Sequence, residues 1–314
     1  MDLITSRAVK GEFLRALEVE RPPEWFGLVA NQFFSDQGSE TYPLLSATPA
    51  MREWVGGRNA KGFTESSIVI PNKHFEDTLD VSIDDMRRDK FDFILAGVED
   101  LSARAIAHPA SLVSTLIDNG ETGICYDGQY FFSASHAEGD SGTQSNDISV
   151  TIASLPAAVH GTTTAPSVEE MQGAIAAGIA QIMSFKDSAG KPINQGASQF
   201  LVMAPVSFFN TVFQAVATNQ QIAASQTALT ALKSKFRIDA EVNLDLTWTT
   251  KIAIFRTDAR IKAFASQRET AVKYSQKAEG SDYAHDNYRY QYGLDYHGNA
   301  AYALWQRACL VTLT

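Results

Sequence analysis

The sequence predicts an α+β protein, and three features carry that reading. Apolar residues at helical spacing, Ile94, Val98, Leu101 and Ala105, mark one long helix in the first third. Helices and strands alternate over 167–245. Strand-like runs then dominate, beginning with KIAIF at 251–255.

Taken in order, residues 6–20 predict an amphipathic helix with Phe13, Leu14 and Leu17 on one face, Ser6 as its cap and Pro22-Pro23 as its stop. A second helix over 24–34 sets Trp25, Val29 and Phe33 at i, i+4 and i+8. SDQGSETYPLLSATPA at 35–50 is rich in turn formers. These short pieces carry large apolar groups without a core of their own. They must lie on the rest of the chain or on another copy.

Residues 51–83 read as a hairpin reversed at the glycine-rich tip 56–62, with Trp54 on its shaft. Phe75, Leu79, Val81 and Ile83 share one strand face, opposite Glu76, Thr78, Asp80 and Ser82. Such a hairpin is too thin to bury its own surface. At Ser82, with Asp85 three residues on, period two gives way to period 3.6. A helix over 83–107 follows, about 35 Å long. Its first turns are acidic, as the helix dipole favours. Pro109 then starts a second helix that ends at Asn119-Gly120.

A turn at Asp127-Gly128 separates short strands, and soft segments at 137–149 and 160–167 mark candidate boundaries. Next come helix 168–186, strand 199–204, helix 206–217, helix 224–234 and strand 236–244. Strands at 251–255 and 260–265, an alternating run through Tyr288, Tyr290 and Tyr292, and a buried final strand in AAYALWQRACLVTL complete the chain. No internal repeat is visible.

At 314 residues and 45% hydrophobic the chain builds one large domain or two modest ones, not a disordered or collagen-like protein. With 26 Lys and Arg against 36 Asp and Glu, the net charge is −10. That balance argues against general nucleic-acid binding, which Lys and Arg drive by releasing counterions. No apolar stretch is long enough for a membrane span, and the N-terminus has no signal-peptide pattern. Cys125 and Cys309 form no metal or redox spacing. The expectation is a protein made in a reducing cytoplasm.

Motifs that suggest chemistry fall short. Gly139-Asp140-Ser141-Gly142 matches the nucleophile segment of trypsin-like proteases, yet no partner histidine segment lies upstream. Gly57 and Gly62 have P-loop spacing, but Phe63 replaces the lysine. His136, Glu138 and Asp140 could gather a cation on one loop, with fewer ligands than such sites use. The tyrosine run reads as sheet packing rather than a stacking face for sugars or bases. No catalytic residue, cofactor or metal site is expected.

EWFGLVANQFFSDQGSETYPLLSATPAMREWVGGRNAKGF (24–63), SIDDMRRDKFDF (82–93), YDGQYFFSASH (126–136) and the late WQRA (305–308) give the chain its likeness to a known family. It resembles the major head (capsid) proteins of Mu-like tailed bacteriophages, which have the Hong Kong 97-type capsid fold. The Trp-Val-Gly-Gly block is the most specific part, and 165–245 matches only in order of elements.

The resemblance implies an N-terminal arm (1–50), an extended loop (51–83), a peripheral domain with a spine helix (84–154 and 256–314) and an axial domain (155–255). It implies hexamers and pentamers in an icosahedral head that encloses double-stranded DNA without sequence-specific binding. The location implied is the virion, assembled in the bacterial cytoplasm with no membrane involved. Scaffold, maturation protease, portal and decoration proteins are the implied partners. Trp25, Phe33 and Trp54 become interface anchors. Arg52 joins them as a contact, and Arg58 and Lys61 at the loop tip are expected to meet Asp84, Asp85 and Asp89 of the spine. Some relatives cross-link a loop lysine to an asparagine, but no motif here makes Lys61 such a residue. An encapsulin-like nanocompartment shell and a soluble hydrolase using Ser141 are the alternatives.

Overall fold

Two sheets and one helix shared between their cores organise the chain. The computed structural model describes residues 6–43, 67–88, 93–217 and 235–314. In order come α1 (Ser6–Val19), α2 (Glu24–Val29), β1 (Ala30–Phe34), β2 (Ser39–Pro43), β3 (Ser67–Pro71), β4 (Lys73–Ser82), α3 (Ile83–Arg88) and α4 (Phe93–Asp118). Next are β5 (His136–Ala137), β6 (Thr143–Gln144), β7 (Asp147–Val150), α5 (Val168–Ser184), β8 (Gln199–Ala204), α6 (Phe209–Ala217) and β9 (Arg237–Val242). The last are β10 (Lys251–Arg256), β11 (Phe264–Lys277), α7 (Asp282–Asn287), β12 (Arg289–Tyr302) and β13 (Ala308–Leu313).

The first sheet has the order β1-β11-β12-β4, antiparallel except for β1, which runs parallel to β11. Tyrosines on β12 make its inner face. Tyr292 and Leu294 pack with Val9 and Phe13 of α1, Met86 of α3 and Val98 of α4 into a small core. The Tyr292 hydroxyl lies 2.8 Å from Ser6 Oγ, so burial leaves it bonded. Tyr290 and Tyr292 pack here as the alternation predicts, whereas Tyr288 precedes β12 in a left-handed conformation and is half exposed.

The second sheet has the order β7-β13-β10-β8-β9 and a much larger core. Central β10 reads as a continuous apolar run because its side chains are buried on both faces. Helix α5 lies so close that a Cβ on Gly178 would sit 2.4 Å from Ile254 Cδ1. Only glycine permits that approach. The start of α5 is fixed by a capping box, in which Ser167 accepts from Glu170 N and the Glu170 carboxylate accepts from Ser167 N at 2.8 Å.

Four sequence expectations change. The helix over 24–34 stops at Val29, because Ala30–Phe34 pairs with Phe264–Arg268 and the sheet outweighs the helical spacing of Phe33. On α1 the buried residues are Ser6, Val9, Phe13 and Ala16, while Leu14 is exposed. The strand expected from 260 begins at Phe264. The predicted final strand is two strands, split by a 3-10 turn at Trp305–Arg307 that buries Trp305. The helix expected at 224–234 lies outside the described residues.

The break expected at Pro109 is also absent. Helix α4 runs through it for 26 residues, about 39 Å. Pro109 costs the helix one backbone hydrogen bond. Tertiary packing offsets this, since Val98 lies in the small core and Ala110, Val113 and Ile117 lie in the large one. Beside the proline, His108 packs 4.4 Å from the Phe75 ring and 5.8 Å from that of Tyr296, with Nε2 buried and unpartnered. Arg104, Glu76, Asp77 and Asp295 line the same recess of about 220 Å³.

Two predictions follow from these buried groups. Burial raises the Glu170 carboxyl, but donors on Ser167, His160 and Gly161 outweigh it and hold it below 4.5. Its stabilising contribution is therefore full above that pH and lost on acidification. Glu170→Gln should lower the melting temperature at pH 7 by the equivalent of about 1–2 kcal/mol and less in acid. His108 has the opposite sense, because burial holds it below its ordinary 6.5. The unfolded chain takes up this proton first, so stability falls as pH drops below about 6.5, and His108→Phe should flatten that part of a melting-temperature profile.

Candidate assembly surfaces

The strands β2 and β3 form a two-stranded ribbon. Its strands pair from Ser39↔Pro71 to Pro43↔Ser67. The inward residues Ile68 and Ile70 are buried against Ala265, Ala303 and Leu304 of the chain body. Phe33 stacks on Tyr42 at 4.7 Å between ring centres. Gln267, fully buried on β11, holds the ribbon by polar contacts. Its Nε2 donates to Ile70 O at 3.2 Å and Asn72 Oδ1 at 2.7 Å, while Oε1 accepts from the Tyr42 hydroxyl at 2.9 Å. Every face of that amide is used, so the ribbon leaves the body in one orientation. Sequence reading missed Gln267, whose only signal is a polar residue inside a strand.

Elsewhere, exposed apolar side chains mark surfaces with little cover among the described residues. Phe34, at the end of edge strand β1, is 76% exposed with the Arg268 guanidinium 4.8 Å from its ring centre. Val206, Phe209 and Phe213 face outward beside and along α6, the two phenylalanine rings 5.1 Å apart. Leu244, just after β9, is 80% exposed.

The expected contact residues are dispersed. Trp25 is buried in the chain's own large core beside Phe26 and Val29, which leaves little of it for a neighbour. Phe33 is half-buried beneath the ribbon. Asp84 lies 3.9 Å from Arg88 Nη2 and accepts from the Tyr288 hydroxyl at 3.5 Å, while Asp85 is exposed. Arg52, Trp54, Arg58, Lys61 and Asp89 lie outside the described residues.

The candidate chemistry near 136–141 is consumed by structure. Ser141 Oγ accepts from Glu138 N and donates to Gly142 O. His136 Nδ1 lies 2.6 Å from Asp127 and Nε2 lies 3.2 Å from Asn146 Oδ1, with the ring stacked on Trp305 at 4.0 Å. Both ring nitrogens are engaged by these partners, and the Ser141 hydroxyl bonds Gly142 O rather than the imidazole. Glu138 accepts from Tyr126, Trp305 and Gln306, and burial raises its carboxyl above the ordinary carboxylate range. Among the described residues no cluster of three metal-ligating side chains occurs.

Comparison with known proteins decides what this scaffold is. The JBD30 bacteriophage capsid superposes on 93% of this chain and 66% of its own length, with a TM-score of 0.53 and 16% identity. The capsid of cyanophage P-SCSP1u covers 94% of this chain and 89% of its own, with a TM-score of 0.56 and 10% identity. The chain has the Hong Kong 97-type phage capsid fold. Residues 4–158 match the family model of the Mu-like prophage major head subunit gpT. The major capsid protein of Escherichia phage Mu is 32% identical over 118 residues. That alignment covers 38% of this chain and 39% of the Mu protein, so the chain matches about two fifths of its curated relative's length. The likeness to Mu-like head subunits read from the sequence therefore holds over the first half of this capsid fold.

Trp25 distinguishes a buried core residue from an assembly contact. Trp25→Ala should destabilise the isolated subunit by about 3–5 kcal/mol in denaturant unfolding, the cost of a large cavity.

Proposed function

We propose that the chain is the major capsid subunit of a tailed bacteriophage and closes into an icosahedral head around double-stranded DNA. One observation carries this: the Mu-like residue pattern over 4–158 lies on a capsid backbone path that extends over more than nine tenths of the chain. The role is structural. In this reading hexamers and pentamers of the chain form the shell. Portal and decoration proteins join it, and a scaffold and a maturation protease act during assembly in the host cytoplasm.

The two sheets supply the division of labour. The four-stranded sheet with α4 forms the peripheral body, and the five-stranded sheet with α5 and α6 forms the axial body. Strand β13 pairs with β10 and β7 in the five-stranded sheet, so this reading moves β7 and β13 from the peripheral domain expected from sequence to the axial body. In this reading the extended loop, 51–83, reaches a neighbouring subunit, and Gln267 anchors Ile70 and Asn72 within it. The net charge of −10 supports confinement by closure, because an acidic wall does not hold the genome by affinity.

Electron microscopy and sedimentation of the overexpressed protein, with its scaffold co-expressed, test the proposal. Closed shells or capsomer rings are the expected result, and a discrete small oligomer with catalytic turnover would overturn it. A small shell holding a co-purified enzyme would favour a nanocompartment. Within that assay, Trp54→Ala should reduce shell yield while the subunit's melting temperature stays unchanged. Truncating an interfacial aromatic costs about 2 kcal/mol or more of association.

A further inference from the structure

Two arginines at one end of the five-stranded sheet share a single neutral acceptor. Arg256 closes β10, and Arg307 ends the 3-10 turn before β13. Between them lies Asn194, fully buried. Asn194 Nδ2 donates to the carbonyls of Ile182 at 2.6 Å and Gln306 at 2.8 Å. Those bonds fix the amide so that Oδ1 faces the guanidinium groups. Arg256 Nη1 donates to Oδ1 at 2.9 Å, and Arg307 Nη1 donates to the same atom.

The charges of this group do not balance. Arg256 Nε donates to Asp258 Oδ1 at 2.7 Å, and the other oxygen of Asp258 accepts from Ser198 N and Oγ at 2.8 and 2.9 Å. Arg307 has no carboxylate partner among the described residues. Besides Asn194 it reaches, among the described residues, only the Ile193 carbonyl, at 3.5 Å, and its Nε is buried with no acceptor among them. Neither arginine uses Nη2 in a hydrogen bond within the described chain. Gly196 lies alongside, where even an added Cβ would stand 3.9 Å from Arg256 Nη2. Two cations therefore face one anion in a largely buried setting, where like charges repel more strongly than in water.

We propose that Arg256 and Arg307 form a binding site for one oxyanion, a carboxylate or a phosphate-sized ion. The planar guanidinium fork suits such a ligand, and its charge-assisted hydrogen bonds would neutralise the excess cation. The anion comes either from solution or from a carboxylate of a second copy. The site does not depend on the assembly reading, since a free subunit would hold it.

Equilibrium dialysis of the purified full-length chain against inorganic phosphate, at constant ionic strength, tests it. The expected result is one saturable site per chain and a melting temperature that rises with phosphate. Arg307→Gln should weaken that binding about tenfold or more, the loss of one charge-assisted contact, while the exposed control Arg7→Gln leaves it unchanged. Absence of saturable binding to the unsubstituted chain overturns the proposal, however the variants fold. So does phosphate stabilisation that Arg307→Gln retains in full. Binding by free subunits but not by assembled shells would identify a neighbour's carboxylate as the occupant. Binding by both would identify the dissolved ion.

Discussion

Everything in this chain hangs on one helix serving two hydrophobic cores. The first half of α4 closes the small core beneath the tyrosines of β12, and its second half enters the large core beside α2 and the five-stranded sheet. Polar contacts lock the second half in place. The Tyr302 hydroxyl donates to Leu116 O at 2.9 Å, Asn243 Nδ2 donates to Ser114 Oγ at 2.7 Å, and Thr247 N donates to Asp118 at 3.0 Å. β12, the end of β9 and the loop before β10 are thus referred to the same axis. A helix held this way at both ends tolerates a proline that an isolated helix would not.

The outward elements depend on that body. The ribbon β2/β3 buries only Ile68 and Ile70, too little to stabilise two strands alone. Stacking of Phe33 on Tyr42 and the three bonds of Gln267 make up the difference. α1 is likewise supported from within, by Val98 and the tyrosines. The described residues thus hold their own cores, and Phe34, Phe209, Phe213 and Leu244 remain exposed on them.

Buried amides act as the hubs of the irregular regions. Asn146 uses Nδ2 on Phe131 O and Trp305 O, and Oδ1 on Ser133 N and His136. Asn194 ties Ile182, Gln306 and both arginines together. Each satisfies backbone groups that loops would otherwise leave unpaired in the interior. The same economy explains why Ser141, His136 and Glu138, which look reactive in sequence, hold the turn around Trp305 instead.

Regular elements with strong periodicity were legible from sequence alone. α5, β8, β10, the two faces of β4 and the alternation of Tyr290 and Tyr292 on β12 follow from local patterning, and the capsid resemblance followed from residues 24–63 and 82–93. Partnership was not legible, because it joins residues far apart in the chain. Pairing with β11 turned Ala30–Phe34 from helix to strand, the double core carried α4 through Pro109, and burial beside Phe26 made Trp25 internal. Gln267 and the Arg256–Arg307 pair emerge only when strands distant in sequence are brought together. Local periodicity determined the elements; the sharing of buried area and hydrogen bonds between distant segments decided how far each runs and which face it hides.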